Sequence, residues 1–161
     1  MLPRPPQWYW GLYHFKDGSF ATYMQAYGGR AFLAGNLYGN PSLKRPSFSI
    51  KEDILVYHAP SGRVFEGNRL KVRPEGLGNG LWAHKFSGGG KDFEVEGVAR
   101  AYSHSCWTFR KNIGMLPAKS TFKYNEYPAA MEGLKLKLRG GEEIVLENGW
   151  GNMENTWGFI I

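Results

Sequence analysis

Apolar and polar residues alternate along several segments of the chain. Between positions 134 and 139, every second residue is leucine and the residues between them are lysine or arginine. Residues 69–73 repeat the pattern, with Leu70 and Val72 placed between cations. Successive side chains of a β-strand point to opposite faces, so a period of two predicts strands with one buried face and one face in water.

Turn-forming residues divide the rest of the chain into short extended segments. Asp17-Gly18 supplies the positive φ angles of a tight hairpin turn and joins predicted strands over 8–15 and 19–27. The only helical segment we expect is a short turn over 128–132. Further strands are predicted over 30–38, 48–58, 63–72 with a bulge near Gly67, 81–86, 91–110, 121–124, 133–139, 142–147 and 150–159. About eight to eleven strands with hairpin-length connections indicate an antiparallel barrel or sandwich.

The first predicted strand is apolar on both faces, which favours the barrel. A strand of this kind is usually covered on both sides, by a cavity lining within and by a terminal segment or a partner outside. We therefore predict one all-β domain over residues 1–161, an antiparallel lipocalin-like (calycin-type) β-barrel. Strand parity separates the aromatic residues into expected cavity lining, Trp8 and Trp10, and expected outer packing, Tyr9 and Tyr13.

Composition supports a β-rich protein without disulfides. The 161 residues include 22 Gly, six Trp, nine Tyr and ten Phe, and aromatic residues are enriched in strands. Cys106 is the only cysteine, so no internal disulfide forms. No apolar stretch is long enough to span a membrane, and the N-terminus lacks the apolar core of a signal peptide, so we expect a cytoplasmic protein.

The formal net charge of +6 permits an anionic partner such as nucleic acid. Many of the cations, however, occupy the polar positions of alternating strands, which is typical of a solvated outer face. Nucleic acid is therefore an unlikely partner on this pattern. The four histidines are scattered without ligand spacing, and we expect neither a metal site nor a cofactor.

The segment 99–109 is the first candidate for chemistry. Tyr102 and His104 point to one side of this predicted strand, and Trp107 points to the other. Imidazole and phenol groups inside an apolar barrel could orient a ligand or transfer a proton. The alternative is a buried histidine that is satisfied by a backbone carbonyl.

The C-terminal segment is the second candidate, because Glu154 lies among Trp150, Met153, Asn155 and Trp157. A carboxyl group among aromatic rings loses hydration, which favours its protonated form. Such a group could donate a proton, and neighbouring indole faces could stabilise a developing carbocation. The alternative is a glutamate at the end of a strand, facing solvent.

Two segments resemble a known family. The opening, Trp8-Tyr9-Trp10 followed by the turn at 17–19, is similar to the first hairpin of lipocalin-like domains in the carotenoid 1,2-hydratase (hydroxyneurosporene synthase) superfamily, to which tocopherol cyclase and fungal decalin-forming cyclases are related. The segment 153–158 looks like the Met-Asp/Glu-x-x-Trp-Gly motif of those domains. The resemblance implies that Trp8, Trp10, Glu154 and Trp157 border a ligand pocket.

The chain also departs from that family. Its members typically hold two lipocalin-like domains, whereas this chain has length for one. Asn155 stands where members often carry a histidine, so the resemblance does not by itself imply the family's catalysis.

Three functions follow from these observations. The first is binding of an apolar or amphipathic small molecule, isoprenoid- or polyketide-like, in an aromatic-lined cavity. The second is a cofactor-independent hydratase or cyclase that uses Glu154 or His104 as its acid. The third is single-stranded nucleic acid binding on exposed aromatic residues. An uncovered aromatic outer face would favour a homodimer. The expected ligand-binding residues are Trp8, Trp10, Tyr102, Trp107, Asn155 and Trp157.

Overall fold

The computed structural model describes residues 7–28, 48–112 and 119–160, and these residues form an all-β structure. A single 3-10 turn, Ala59–Ser61, is the only helical segment among them. The strands are β1 Gln7–His14, β2 Phe20–Gly28, β3 Phe48–His58, β4 Arg63–Gly67, β5 Arg69–Gly78, β6 Leu81–Gly89, β7 Phe93–Ala101, β8 Ser105–Asn112, β9 Lys119–Leu138 and β10 Glu143–Ile160.

All ten strands belong to one antiparallel sheet in the order β4-β3-β2-β1-β10-β9-β7-β6-β5, and β8 pairs with β9 beside this path. The sheet curves into a half-barrel that is consistent with the predicted lipocalin-like barrel. The core lies on its concave face. The predicted hairpin at Asp17-Gly18 is present: Gly18 has a φ of 86°, and β1 and β2 pair along their length.

Two contacts connect strands from opposite halves of the strand order. The Gln25 side chain of β2 reaches β5, where its Nε2 donates to the carbonyl of Leu70 and its Oε1 accepts from the amide of Val72, both at 2.9 Å. Gly67 of β4 lies against β6, because a Cβ added there would stand 2.4 Å from the carbonyl oxygen of Gly89. The buried amide thus satisfies backbone groups of an edge strand from across the core.

The core consists of the apolar positions of the alternating strands, as predicted. Leu134, Leu136 and Leu70 are buried, while the cations at 69, 71 and 73 are exposed. Ion pairs cover the outer face, for example Lys135 with Glu143 at 2.9 Å. The other large members of the core are Tyr13, Phe15, Tyr23, Ile54, Val56, Phe65, Val72, Phe86, Phe93, Val95, Tyr127, Met131, Ile144, Leu146 and Met153.

Several predicted boundaries were wrong. The expected helical turn over 128–132 is part of β9, where Pro128 pairs with Asn152 and Ala129 pairs with Gly151. The expected strand over 91–110 is two strands, because β7 ends at Ala101 and β8 begins at Ser105. The segment 63–72 is likewise divided between β4 and β5. The predicted strand over 30–38 lies outside the described residues.

Candidate functional site

The two faces of β1 are assigned in the opposite way to the prediction. Tyr13 is fully buried in the core and Tyr9 packs against it, whereas Trp8 and Trp10 are half-buried on the other side of the strand. Aromatic residues occupy both faces of this strand, so the pattern of residues could not show which face is buried. The tryptophans therefore lie on the convex face, and the tyrosines face the inside of the half-barrel.

A tyrosine–histidine pair lies at the centre of the concave face. The hydroxyl of Tyr23 and Nδ1 of His84 are 2.7 Å apart, joining β2 to β6. Tyr13 stacks on Tyr23 with ring centroids 6.2 Å apart, and Phe86 lies 4.6 Å from the Tyr23 ring. Gly11 makes room for this stack, since a Cβ at that position would fall 2.8 Å from both tyrosine rings.

Burial keeps these ring groups uncharged at neutral pH. Loss of hydration lowers the pKa of His84 to about 3, so its imidazole is neutral. The same cause raises the pKa of Tyr13 and of Tyr23 well above the ordinary tyrosine value. The centre of the concave face therefore offers hydrogen-bonding groups without a net charge.

Asn155 extends this polar region across β10. It is fully buried, and it pairs with Tyr9 on β1 and with Asn125 on β9. Tyr9 in turn contacts the edge of the His84 ring, with centroids 5.3 Å apart. Asn125 Nδ2 donates to the backbone carbonyl of Asn155 at 3.3 Å. We call Tyr13, Tyr23, His84, Asn125 and Asn155 the inner polar cluster.

Aromatic rings cover the cluster on its β9 side. Tyr127 is buried, and burial raises its pKa to about 12, although a hydrogen bond with the Asn155 side chain partly opposes that rise. His104 stacks on Tyr127 at 4.9 Å, and its Nε2 lies 3.3 Å from Oδ1 of Asn125. His104 is exposed, so it forms the outer end of this chain of contacts rather than its buried centre.

Nε2 of His84 is fully buried and has no hydrogen-bond partner among the described residues. The Asn155 side chain, in contrast, interacts with the hydroxyl of Tyr127, and the hydroxyl of Tyr13 interacts with that of Tyr23. A buried donor or acceptor without a partner costs about 1–3 kcal/mol. Because most buried polar groups in proteins are satisfied, this imidazole nitrogen is a group that a bound molecule would contact.

Glu154 lies on the convex face and is held there by two donors. Nε1 of Trp8 donates to one carboxylate oxygen at 3.2 Å, and the hydroxyl of Tyr124 donates to the other. Burial and this hydrogen bond raise the pKa of Tyr124. Trp10 on β1 and Glu126 on β9 are the cross-strand neighbours of Glu154. The carboxylate is thus separated from the inner polar cluster by the sheet itself.

The other predicted site residues are distributed over both faces and one edge. Trp107 is 47% exposed on the convex side, where its ring lies 5.7 Å from that of Tyr124. Tyr102 is exposed between β7 and β8. Trp157 of β10 pairs with Lys123 of β9, and the Trp157 side chain lies outside the described part of the structure. Of the predicted residues, Asn155 belongs to the inner polar cluster and His104 contacts it.

The sequence reasoning missed Tyr23, His84 and Asn125. A signal for them was present in the pattern of residues, because each lies on the same face of its strand as a buried apolar residue two positions away. The pairs are Tyr23 with Ala21, His84 with Phe86, and Asn125 with Tyr127. A polar residue at an inward position of a strand needs a partner inside the fold or in a ligand.

No group of three His, Cys, Asp or Glu side chains within residues 7–28, 48–112 and 119–160 is arranged to hold a metal ion. The same residues include no helix that is long and apolar enough to cross a membrane. Comparison of the chain with protein-family models, with curated proteins and with solved structures gives no match.

Proposed function

We propose that the protein binds an apolar or amphipathic small molecule, isoprenoid- or polyketide-like, on the concave face of the half-barrel. The observation that carries this proposal is the unpaired Nε2 of His84, which lies fully buried beside the rings of Tyr9 and Tyr23. Ligand sites commonly combine a largely apolar lining with a few placed polar groups. Tyr9, Phe86 and Tyr127 supply that lining here.

Binding is better supported than catalysis by the arrangement of the acids. A hydratase or cyclase reaction needs a proton donor that faces the ligand, and Glu154 lies on the opposite face of the sheet. His84 faces the cluster but is neutral at physiological pH. The concave face offers an aromatic lining and neutral hydrogen-bonding groups, and this combination suits binding better than proton transfer.

Native mass spectrometry of the protein purified without denaturation tests the proposal. We expect a bound small molecule, released by organic solvent and identifiable by its fragmentation. The matched pair Tyr9→Leu and Trp10→Leu then assigns the face, because these neighbours lie on opposite sides of β1. Tyr9→Leu should lose the molecule and Trp10→Leu should retain it. Loss only in Trp10→Leu, or a protein that takes up no apolar compound at all, would refute the proposal.

A further inference from the structure

Two cations lie on the concave face of β8 and β9, beyond the inner polar cluster. The register pairs Lys123 of β9 with Thr108 of β8, and it pairs Arg110 of β8 with Thr121 of β9. Lys123 is two residues from the buried Asn125, and side chains two residues apart share a face of a strand. Arg110 and Lys123 are therefore diagonal neighbours on that face, with Cα atoms about 7–8 Å apart.

The residues between them in sequence identify the face. Trp107 lies 5.7 Å from Tyr124, and Phe109 lies 6.2 Å from Phe122, so these rings stack along the convex side. Arg110 follows Phe109 in β8, and successive side chains of a strand point to opposite faces. The guanidinium group of Arg110 thus belongs to the concave face.

The two cations repel each other, and a negative group between them would remove that repulsion. Arg110 is exposed, and none of the ion pairs in the described ranges includes it. Lys123 is half-buried and has an interaction within the chain, so it contributes mainly its charge. Glu52 on β3 also lies on the concave face by register, where it accepts a hydrogen bond from Gln25 at 3.3 Å. The positive charge therefore lies on the β8 and β9 side.

The cations lie one step along the strands from the inner polar cluster. Asn125 pairs with Asn155 across β9 and β10, and Asn155 pairs with Tyr9 of β1. Lys123 is two residues beyond this row, about 7 Å along its strand. The Tyr9 ring contacts the edge of the His84 ring, with centroids 5.3 Å apart. A molecule on the concave face thus meets aromatic rings along its body and cations at one end.

We propose that the ligand is an amphipathic anion. Its oxyanion end, a carboxylate or a phosphate ester, binds between Arg110 and Lys123, and its apolar body extends toward the inner polar cluster. This inference rests on the proposed function, because it names the polar end of the ligand on that same face. A guanidinium group binds such oxyanions through parallel N–H donors, and Thr108, opposite Lys123, adds a hydroxyl.

Four probes with similar isoprenoid bodies and different polar ends test the inference. They are farnesoate, farnesyl phosphate, farnesol and farnesylamine, titrated by calorimetry at about pH 8, where the acid is ionised and the amine is protonated. At least one anion should bind about tenfold more tightly than farnesol, the ratio expected from one charge-assisted hydrogen bond. Farnesylamine should bind most weakly. The tighter of the two anions identifies the oxyanion that the site prefers.

Salt separates charge recognition from a preference for shape. The advantage of the anion over farnesol should shrink as sodium chloride rises from about 0.01 M to about 1 M, because the screening length falls from about 30 Å to about 3 Å. An advantage that stays constant over this range would overturn the role of the cations.

The variants Arg110→Met and Lys123→Met keep an apolar side chain and remove the charge. Each should reduce the advantage of the anion over farnesol, and the double variant should abolish it. Arg73→Met is the matched control, because it removes one exposed cation from the outer face of β5. It should leave the ranking of the probes unchanged, which excludes a general effect of net charge.

The outcomes separate this inference from the proposed function. Farnesol or farnesylamine bound as tightly as both anions would overturn the inference and leave the binding function intact. An advantage that survives the double variant, or that Arg73→Met removes as well, would overturn the assignment to Arg110 and Lys123. No binding by any probe would count against the proposed function itself. The wild-type ranking and its salt dependence decide the matter even if a variant fails to fold, which circular dichroism would reveal.

Discussion

The concave and convex faces of β1 and β10 are built from adjacent residues and yet differ in their chemistry. On the concave face, Asn155 is buried and neutral, and the buried Nε2 of His84 is unpaired among the described residues. On the convex face, its neighbour Glu154 is a half-buried acid that accepts hydrogen bonds from Trp8 and Tyr124. The acid on the convex face has its partners within the chain, whereas the buried imidazole on the concave face retains hydrogen-bonding capacity for another molecule.

This difference also bears on the nucleic acid hypothesis. Exposed rings suitable for stacking bases are present on the convex face, where Trp107 lies near Tyr124. The carboxylates of Glu154 and Glu126 are cross-strand neighbours on that same face. Phosphate groups are repelled by acids, so the area of the convex face around Trp107 and Tyr124 is poorly suited to a polyanion.

The largest effect should follow from removing a ring of the inner polar cluster. Tyr23→Ala should lower the free energy of unfolding by about 3–5 kcal/mol, because it deletes a fully buried ring that contacts Tyr13, His84 and Phe86. Thr22→Ala, one position along on the half-buried convex side, should cost much less. Urea unfolding measures both values. Equal losses in the two variants would mean that the faces do not differ in their contribution to stability.

The second effect is a loss of stability in acid that originates at His84. Burial holds the pKa of His84 at about 3, below the value near 6.5 expected in the unfolded chain. The unfolded state therefore binds more protons between these values, so stability is full above about pH 6.5 and falls as the pH drops towards 3. The slope should approach about 1.4 kcal/mol per pH unit in that window.

His84→Gln should remove that contribution and flatten the dependence of unfolding free energy on pH between about 6.5 and 4. The control His58→Gln retains His84 and should keep the wild-type slope. Urea unfolding at several pH values gives both slopes. An unchanged slope in His84→Gln would show that another group causes the loss in acid.

The smallest effect should come from the convex carboxylate. Glu154→Gln keeps the size of the side chain and weakens the hydrogen bonds from Trp8 and Tyr124, so we expect a loss of about 0.5–1.5 kcal/mol in unfolding free energy. Ligand binding at the concave face should be unchanged within error, as calorimetry can determine. A marked loss of binding would mean that Glu154 acts at the ligand after all.

The sequence by itself determined the strands and much of the core. Alternation placed Leu134 and Leu136 inside and Lys135 and Lys137 on the outer face, because a pleated strand gives its side chains a period of two. Asp17-Gly18 placed the first hairpin, because Gly18 readily adopts the left-handed conformation found in its turn. Both are local properties of the chain.

The candidate site depended on the tertiary structure. Tyr23, His84 and Asn155 come from β2, β6 and β10, and the Tyr23–His84 contact joins residues 61 positions apart. The sequence of β1 offered two aromatic faces, and in the folded structure the face with Gly11 turns inward, where the rings of Tyr13 and Tyr23 fill the space above that glycine. Long-range packing chose between alternatives that the local pattern of residues left equal.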